Sequence, residues 1–318
     1  MKIAVGLSGG VDSAVSALLL KEQGHEVVGV TMSLGRETEA KTLGEAREVA
    51  TRLGIPLEVA DLASDWSRHV LAYVAESYRG GRTPNPCIRC NEFVKFGLLP
   101  RWAFETLGCD RFATGHYARL RDGRLFRAAD RSKDQSYFLY RVAPKIRART
   151  IFPLGELTKC AVREIGRKAG FAAADRDDSQ DFCGGDVRAI VGASPQTGNI
   201  VRVSDGRVLG THQGVWNYTV GKRKGLGIGG GTPYYVVGLD AAQNIVWVGT
   251  KEESVCRALT LRECVGEIDL SLPVKIRSAG EPRLLKDGLS GVAPGQSAVF
   301  YRGDEVVGGG IIDKGVSA

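Results

Sequence analysis

A phosphate-binding turn near the amino terminus constrains this chain more than any other feature. A short apolar run ends at Leu7 and leads directly into Ser-Gly-Gly-Val-Asp-Ser, residues 8–13, where a helical pattern starts. Two adjacent glycines let the backbone approach a ligand and point several N–H groups at it, and the positive end of the helix favours an anion. The sequence therefore predicts a pyrophosphate site, with Asp12 and two serine hydroxyls orienting a nucleotide and its metal.

The turn differs from the ATP loop of kinases and GTPases, which has the pattern GxxxxGK[ST], because no lysine stands at the required position. It is similar instead to the loop of adenylating enzymes that split ATP between its α- and β-phosphates. A flexible surface turn is the alternative interpretation. The position between a strand and a helix, where open α/β sheets bind phosphates, favours the nucleotide site.

The composition is that of an ordinary chain with a sizeable core. Its 318 residues are 43% hydrophobic and 25% charged, which suits two or three domains. No apolar run approaches the roughly 18 residues of a membrane span, and a strand pattern begins at once, so we expect a cytoplasmic protein without secretory signal or membrane contact. Seven cysteines in a cytoplasmic protein indicate reactive, metal-binding or buried thiols.

Strand and helix patterns alternate up to about residue 115, which predicts a parallel sheet with helices on both faces. From about residue 197, short Val-rich runs with glycine turns predict small β modules, at least one of them barrel-like. We expect an α/β ATP-binding domain with an irregular, basic extension at 1–193, a mainly-β central domain at 194–254 and a C-terminal β-barrel at 255–318. The expected strands include 3–7, 26–32, 57–60, 111–114, 200–203, 214–220, 234–239 and 245–248, and the expected helices 11–23, 41–53, 65–78 and 91–107.

Positive charge is concentrated in one segment. Between Arg119 and Arg149 there are ten Arg or Lys residues and three acidic residues, in a chain of net charge +7. A solvated surface is the simpler interpretation of such a run. Because the segment accompanies a predicted ATP site, we favour a track for nucleic-acid phosphates.

Two cysteine motifs are candidates for the chemistry. Cys87 and Cys90 form a CxxC pair on a Pro-rich loop before a predicted helix, and we expect the helix terminus and Arg89 to lower the pKa of the Cys90 thiol. Cys183 precedes two glycines, which leave its sulfur accessible. A redox pair or half of a zinc site remains open, but no second CxxC completes zinc coordination. We interpret the other cysteines as small core residues: Cys109, Cys160, Cys256 and Cys264.

Taken together, the motifs resemble the bacterial tRNA-specific 2-thiouridylase family over essentially the whole chain. The matching segments are SGGVDS at 8–13, GRTPNP at 81–86 with the following Cys90 and Asn91, ATGHY at 113–117, KDQSY at 133–137, DSQDFC at 178–183 and GKRKGLGIG at 221–229. The resemblance implies thiolation at C2 of the wobble uridine in tRNAs for Lys, Glu and Gln, with ATP and Mg²⁺.

The resemblance also implies roles for individual residues. Cys183 would carry a persulfide obtained from a sulfur donor, and Cys90 would attack it and end in a disulfide with Cys183, while Asp12 serves the ATP step. The donor would be sulfide or a cysteine desulfurase with its relay. The nucleotide would contact Gly6, Leu7, Ser8, Gly9, Gly10, Val11, Asp12, Ser13, Met32 and Gly115. The tRNA and its flipped base would contact Asn85, Pro86, Cys87, His116, Lys133, Asp134, Gln135, Arg277, Ser278 and Gln296.

One position departs from the family pattern, because Cys87 stands where the family usually has aspartate. Cys87, Cys90 and Cys183 therefore form a possible three-thiolate set. Three cysteines suit a [4Fe–4S] cluster with one open iron that could present sulfide to the activated base. This variant leaves the cluster route and the persulfide route both open.

Two other functions compete with thiolation. Another adenylating enzyme of the same loop class, such as an amidotransferase-type synthetase, would need neither the cysteine pair nor the basic segment. A non-catalytic RNA-binding sulfur carrier is the second, and the intact SGGVDS turn at 8–13 argues against it.

Overall fold

The computed structural model describes residues 1–36, 39–176, 190–192, 194–229 and 231–317. These residues form two compact units. The described part of the first comprises residues 1–36, 39–70, 87–176 and 303–306; that of the second comprises 71–86, 190–192, 194–229, 231–302 and 307–317. Within the described ranges, no helix is long and apolar enough to cross a membrane.

The first unit is built on a parallel sheet. Its strands are β1 (Lys2–Gly6), β2 (Glu26–Ser33), β3 (Leu57–Asp61), β4 (Arg111–Ala113), β5 (Ala118–Arg121), β6 (Arg124–Arg127) and β7 (Thr150–Ile151). Five of them form the sheet in the order β3-β2-β1-β4-β7, with every pair parallel. The centre of β1 is fully buried, as is typical of a strand covered on both faces. The predicted parallel α/β sheet is therefore confirmed.

Helices cover this sheet and carry the segments of interest. They are α1 (Val11–Glu22), α2 (Glu39–Leu53), α3 (Ala63–Trp66), α4 (Ala72–Arg79), α5 (Pro86–Cys90), α6 (Leu99–Thr106), α7 (Pro144–Arg147) and α8 (Lys159–Lys168), with α4 in the second unit. Two π-helical segments, Ser67–Leu71 and Asn91–Leu98, join neighbouring helices. The apolar face of α1 packs in one core with β1 and with Val162 of α8.

The second unit contains two β-sheets. Its strands are β8 (Gly198–Arg202), β9 (Val208–His212), β10 (Tyr235–Asp240), β11 (Ile245–Gly249), β12 (Val255–Gly266), β13 (Val274–Lys275), β14 (Leu289–Ser290), β15 (Ser297–Arg302) and β16 (Glu305–Ser317). One sheet has the order β10-β11-β8-β9, and the other includes β13-β15-β16-β12-β14. Each has its own apolar core, one around Ile200 and Val246 and the other around Phe300 and Ile312.

Three local predictions were wrong. The helix expected at residue 91 begins at Pro86, since proline fits the first turn of a helix, where its missing N–H costs nothing. The strand expected at 214–220 contains a 3₁₀ turn at Val215–Asn217. The basic stretch expected to be irregular contains the hairpin of β5 and β6, which also pairs with the first residues of β16.

Candidate active site

The predicted phosphate-binding turn lies between β1 and α1. The Ser13 hydroxyl donates to the Gly10 carbonyl at 3.0 Å and accepts from the Ser8 amide at 3.2 Å, which fixes the turn from within. Gly9 has φ +76°, and a Cβ there would overlap the Cβ of Glu45, so this position requires glycine. The amides of the first helical turn have no helical carbonyl to donate to, and the turn therefore presents donors suited to an anion.

Asp12 is held by two side chains from later in the chain. Its carboxylate accepts from Lys159 Nζ at 2.7 and 2.8 Å and from the Tyr117 hydroxyl at 2.8 Å. Lys159 is the first residue of α8, and its side chain is 10% exposed. The sequence analysis did not identify Lys159, because the partners are 147 residues apart and no short motif joins them.

The other predicted nucleotide residues follow the carboxyl ends of neighbouring strands. Gly115 comes after β4, and an ideal Cβ there would lie 2.7 Å from the carbonyl carbon of Asp12 and 2.8 Å from the nitrogen of Ser13. Met32 is half-buried near the end of β2, paired with Ala60. Gly6 ends β1, Leu7 and Val11 are buried, and the three strands bring this set to one edge of the sheet.

Glu39, which the sequence analysis did not identify, binds the segment that follows Met32. Glu39 accepts hydrogen bonds from the Ser33 hydroxyl and from the backbone N–H groups of Leu34 and Gly35, each at 2.6 Å. These donors lower the pKa of Glu39, chiefly through Ser33. The ionised carboxylate therefore organises the backbone at the end of β2, beside the predicted nucleotide position.

The CxxC pair lies within a helix and not on a loop. Cys87 and Cys90 are both half-buried in α5, and the following Asn91 donates its side-chain amide to the Phe138 carbonyl at 3.1 Å. Because a helix has 3.6 residues per turn, residues three apart share a face. The two thiols therefore lie on one side of α5.

The predicted lowering of the Cys90 pKa was wrong. Burial raises the pKa of this thiol, and the positive charges of Lys95 and Arg36 only oppose that effect. Arg89 stacks over Phe93 at 4.4 Å and pairs with Glu92 at 3.6 Å. Cys90 is also at the end of the first helical turn, since the helix starts four residues earlier.

The third cysteine of the predicted set, Cys183, lies outside the described residues. The other six cysteines are thiols, so the structure contains no disulfide among them. Of the four expected in the core, Cys109 and Cys256 are buried, whereas Cys160 and Cys264 are exposed, and that expectation was wrong for these two. In the ranges that the structure describes, no group of three His, Cys, Asp or Glu side chains is arranged to hold a metal ion. The geometry of the proposed three-thiolate set is therefore not part of the described structure.

Three predicted tRNA contacts of the first unit point into the protein. His116 is 8% exposed, its Nδ1 lies 2.8 Å from the Thr114 hydroxyl, and burial sets its pKa well below the ordinary value. Asp134 is 1% exposed at its side chain and pairs with Arg127 at 3.3 Å, while Gln135 accepts from the Tyr117 amide at 2.9 Å. These side chains bind the loop internally, and Lys133 and Gln135 are both half-exposed as residues.

Charges from outside the basic segment neutralise much of it. At least six of its ten cations form ion pairs: Arg119 with Asp304 and Glu156, Arg121 with Glu156, Arg124 with Glu305, Arg127 with Asp134, Arg131 with Asp304, and Arg141 with Glu92. Most of these carboxylates lie elsewhere in the sequence, so a local charge count missed them. The segment therefore has less unmatched positive charge than the local count indicated, and its role as a phosphate track stays a prediction.

In the second unit, two predicted tRNA residues hold neighbouring backbone. Gln296 donates its side-chain amide to the carbonyls of Thr83 and Pro84, both at 3.0 Å, immediately before Asn85. Arg277 donates to the carbonyls of Val220 and Gly291 at 3.1 and 3.2 Å. The next residue, Ser278, is exposed, while Asn85 and Pro86 are half-buried. Gln296 thus has a direct role in positioning the loop that leads to the CxxC pair.

Comparison with known proteins gives consistent matches over the whole chain. Three family profiles match: the tRNA methyl transferase HUP domain at residues 1–184, the tRNA methyl transferase PRC-barrel domain at 189–250 and the aminomethyltransferase β-barrel domain at 241–312. These profiles also agree with the predicted order of an ATP-binding α/β domain followed by β-barrel modules.

Full-length relatives carry a more specific name. The tRNA-specific 2-thiouridylase MnmA of Endomicrobium trichonymphae is 44% identical over 358 aligned positions, covering 98% of this chain and 99% of the relative. The protein of the same name from Nostoc sp. is 42% identical with the same coverage. Among solved structures, a 4-thiouridine synthetase–RNA complex with ATP matches 57% of this chain and 44% of its own, at 20% identity and TM-score 0.40.

Proposed function

The chain belongs to the tRNA-specific 2-thiouridylase family, and we propose that it replaces the C2 oxygen of a tRNA uridine with sulfur at the expense of ATP. The observation that best supports this proposal is that one compact unit combines a phosphate-binding turn with a CxxC pair on one side of α5. Lys159 and Tyr117 hold the Asp12 carboxylate at the turn. An adenylating enzyme without sulfur chemistry has no use for the cysteine pair.

ATP is required because the uracil C2 carbonyl is a poor electrophile with a poor leaving group. In the proposed first step the C2 oxygen bonds to the α-phosphorus of ATP, and the bond to the bridging oxygen breaks. Pyrophosphate leaves with the electron pair, and the uridine loses its N3 proton to solvent. The first-turn amides of α1 and the serines of the turn bind the phosphates, and Mg²⁺ held by Asp12 would neutralise phosphate charge.

Sulfur then displaces AMP, and the cysteines define two routes for its delivery. In one, Cys183 carries a persulfide and Cys90 releases the sulfur by forming a disulfide with Cys183. In the other, Cys87, Cys90 and Cys183 would hold a [4Fe–4S] cluster, whose open iron would present sulfide from the donor as the nucleophile. The shared helical face of Cys87 and Cys90 is compatible with both routes. The raised pKa of Cys90 would be reversed by a bound iron, because ligation requires a thiolate.

The rest of the proposal concerns substrate and organisation. We propose tRNAs for Lys, Glu and Gln as substrates, with sulfide or a cysteine desulfurase relay as donor. We also propose that the chain divides into three domains, at 1–193, 194–254 and 255–318. The exposed Arg277 and Ser278 and the half-exposed Lys133 would face the tRNA. The family's target-base residues correspond to Asn85, Pro86 and Cys87.

Anaerobic purification followed by iron analysis and a thiolation assay tests the proposal. Unmodified tRNA and ATP are supplied, with either sulfide or cysteine plus a cysteine desulfurase as donor, to the wild type, to Cys87→Ala and to a control, Cys160→Ala, which removes an exposed thiol on α8. Thiouridine formation that requires ATP supports the function, and its absence under every donor condition contradicts it. About four irons per chain, lost together with activity only in Cys87→Ala, identify the cluster route. An iron-free, active Cys87→Ala protein identifies the persulfide route.

A further inference from the structure

A glycine-rich loop at residues 221–235 of the second unit carries three adjacent cations. From residue 206 to residue 239 the chain has four arginines or lysines and no aspartate or glutamate. Lys222, Arg223 and Lys224 are consecutive, and all three are exposed. Among the residues that the structure describes, none of the three has an ion-pair partner. The loop thus differs from the segment at 119–149, where carboxylates from elsewhere in the sequence pair with several of the cations.

Neutral groups hold two of these cations in place. The Lys222 Nζ donates to the Asn217 carbonyl at 3.0 Å and lies 4.9 Å from the centroid of the Tyr218 ring. The Arg223 guanidinium lies 5.9 Å from the centroid of the Tyr235 ring. A carbonyl and an aromatic face orient a cation without cancelling its charge. Both side chains are therefore positioned and still attract an anion.

The backbone of the loop is fixed at its base and along its middle. The Gly221 N–H donates to the Val236 carbonyl at 2.7 Å, and the Val236 N–H donates to the Lys222 carbonyl at 2.9 Å. Leu226 is buried in the core of the sheet β10-β11-β8-β9, and Ile228 packs against the same core. These contacts hold the loop on the sheet and give its outer surface a defined shape.

That outer surface is a strip of bare backbone, formed by Gly225, Gly227 and Gly229. The three glycines alternate with Leu226 and Ile228 and are exposed, and no atom of the described residues lies within 4 Å of their ideal Cβ positions. Gly225 and Gly227 have φ of +72° and +69°, a conformation that favours glycine. Gly229 is outside the left-handed region, so neither its conformation nor its packing requires glycine. A glycine in such open space permits a ligand to approach the backbone closely.

A groove of about 460 Å³ lies within the same loop, and Arg223, Gly227 and Tyr234 are among the residues that line it. The Tyr234 hydroxyl accepts from Arg202 at 3.2 Å, which fixes that part of the wall. No described group accepts a hydrogen bond from the backbone N–H groups of residues 223–229. Successive free N–H groups in a loop bind anions. The groove therefore combines cations, N–H donors and bare backbone, which together suit phosphate groups.

We propose that this loop binds the phosphodiester backbone of tRNA, with the three cations neutralising phosphates and the glycine strip touching the sugar–phosphate chain. This inference rests on the proposed function and adds an RNA-binding site that includes neither the cysteines nor the phosphate-binding turn. A polyanion offers several phosphates at once to three adjacent cations, and a surface without side chains has room for the bulky ribose. Such contacts supply affinity without reading the bases.

Equilibrium binding of unmodified tRNA at several KCl concentrations tests the site. Arg223→Gln and Lys224→Gln each remove one charge from the loop. Arg302→Gln is the matched control, because it removes one charge from an exposed arginine of the same unit that pairs with Glu267. We expect each loop variant to bind tRNA roughly three- to tenfold more weakly, and the slope of log Kd against log salt concentration to fall by about 0.7–1. The control should bind tRNA as the wild type does.

Gly229→Ala tests the glycine strip without altering charge. Its methyl group has open space in the protein, so the midpoint of urea unfolding should keep its wild-type value. The affinity for tRNA should fall roughly fivefold or more, because the methyl group overlaps the bound backbone. Wild-type affinity in Gly229→Ala, or wild-type affinity and salt slope in both charge variants, overturns the proposal. An equal loss in Arg302→Gln also overturns it, because it would indicate a general effect of net charge.

Two further measurements distinguish RNA from other occupants. A loop that holds a free phosphate ion would bind inorganic phosphate in the wild type and not in Arg223→Gln, while the tRNA affinity of that variant stayed unchanged. A loop that docks an acidic sulfur-donor protein would, in the charge variants, retain tRNA affinity and lose thiolation only when a cysteine desulfurase replaces sulfide. Either result overturns the proposal.

The two proposals fail in different ways. A wild-type protein that neither binds nor thiolates tRNA contradicts the proposed function. A wild-type protein that thiolates tRNA, with loop variants that bind tRNA equally tightly, contradicts only the role of the loop.

Discussion

Replacing Gly115 by alanine tests whether close packing at the end of β4 shapes the phosphate-binding turn. An ideal Cβ on Gly115 would lie 2.7 Å from the carbonyl carbon of Asp12, 2.8 Å from the nitrogen of Ser13 and 2.9 Å from the oxygen of Asp12. All three are backbone atoms, so no side-chain rotation relieves the overlap. Overpacking of this kind costs roughly 1–3 kcal/mol. The first turn of α1 must shift to accommodate the methyl group.

The expected result is a combined loss of stability and ATP affinity. If the whole strain opposes the binding geometry of the turn, roughly 1–3 kcal/mol corresponds to a roughly 5- to 150-fold increase in the dissociation constant for ATP. Urea unfolding measures the change in the free energy of unfolding, and equilibrium dialysis with α,β-methylene-ATP measures the affinity.

A second glycine provides the control. Gly44 lies inside α2, and no atom is within 4 Å of its ideal Cβ. Gly44→Ala should therefore stabilise the protein by roughly 0.5–1 kcal/mol through helix propensity and leave ATP binding unchanged. Wild-type stability and wild-type ATP affinity in Gly115→Ala would refute the packing argument.

Three further measurements address the cysteine, loop and histidine environments. Because burial raises the Cys90 pKa, its alkylation by iodoacetamide should be slow near neutral pH and should still rise with pH beyond about pH 9, where an ordinary thiol levels off. The reaction is followed on tryptic peptide 90–95, which is separate from Cys87, and a plateau below about pH 9 would contradict the raised pKa. Gln296→Ala removes two hydrogen bonds worth roughly 1 kcal/mol each. Amide hydrogen exchange at Thr83 should therefore accelerate, and the kcat of thiolation should fall. A raised KM for tRNA with unchanged kcat would instead indicate that Gln296 contacts the tRNA directly. Burial lowers the His116 pKa, so at acidic pH the unfolded state binds a proton that the folded state does not. The free energy of unfolding should therefore fall below about pH 6.5, by up to about 1.4 kcal/mol per pH unit. An equal pH dependence of the free energy of unfolding in His116→Asn would exclude this residue as the cause.

Features that are determined by residues close together in the chain could be predicted from the sequence. The strand, the glycine pair and the helix start of the phosphate-binding turn occupy residues 2–13, and the structure confirms that arrangement. Four of the five strands of the parallel sheet follow from alternating patterns within about 115 residues, whereas the edge strand β7 was not predicted. The family was identified from motifs of five to nine residues, and the full-length relatives confirm it. In each case the determining residues are close together in the chain.

Features that depend on distant pairs could not be predicted. Lys159 reaches Asp12 across 147 residues, and Gln296 reaches Thr83 across 213. No sequence motif predicts either pair, because tertiary packing decides which distant residues come within hydrogen-bonding distance. The prediction of a lowered Cys90 pKa failed for the same reason. Burial raises this pKa, and the burial depends on which residues pack over α5.

The same reasoning changes how the positive charge of this chain relates to its RNA substrate. A run of arginines predicts a phosphate track only if its charges are not already matched inside the protein. Here Arg119 and Arg131 converge on Asp304 from positions 185 and 173 residues away, and the second of these pairs is 2.5 Å long. Such pairs order the hairpin of β5 and β6 against the start of β16. The segment therefore contributes to the architecture of the first unit, and its formal charge overstates the positive charge that remains for RNA phosphates.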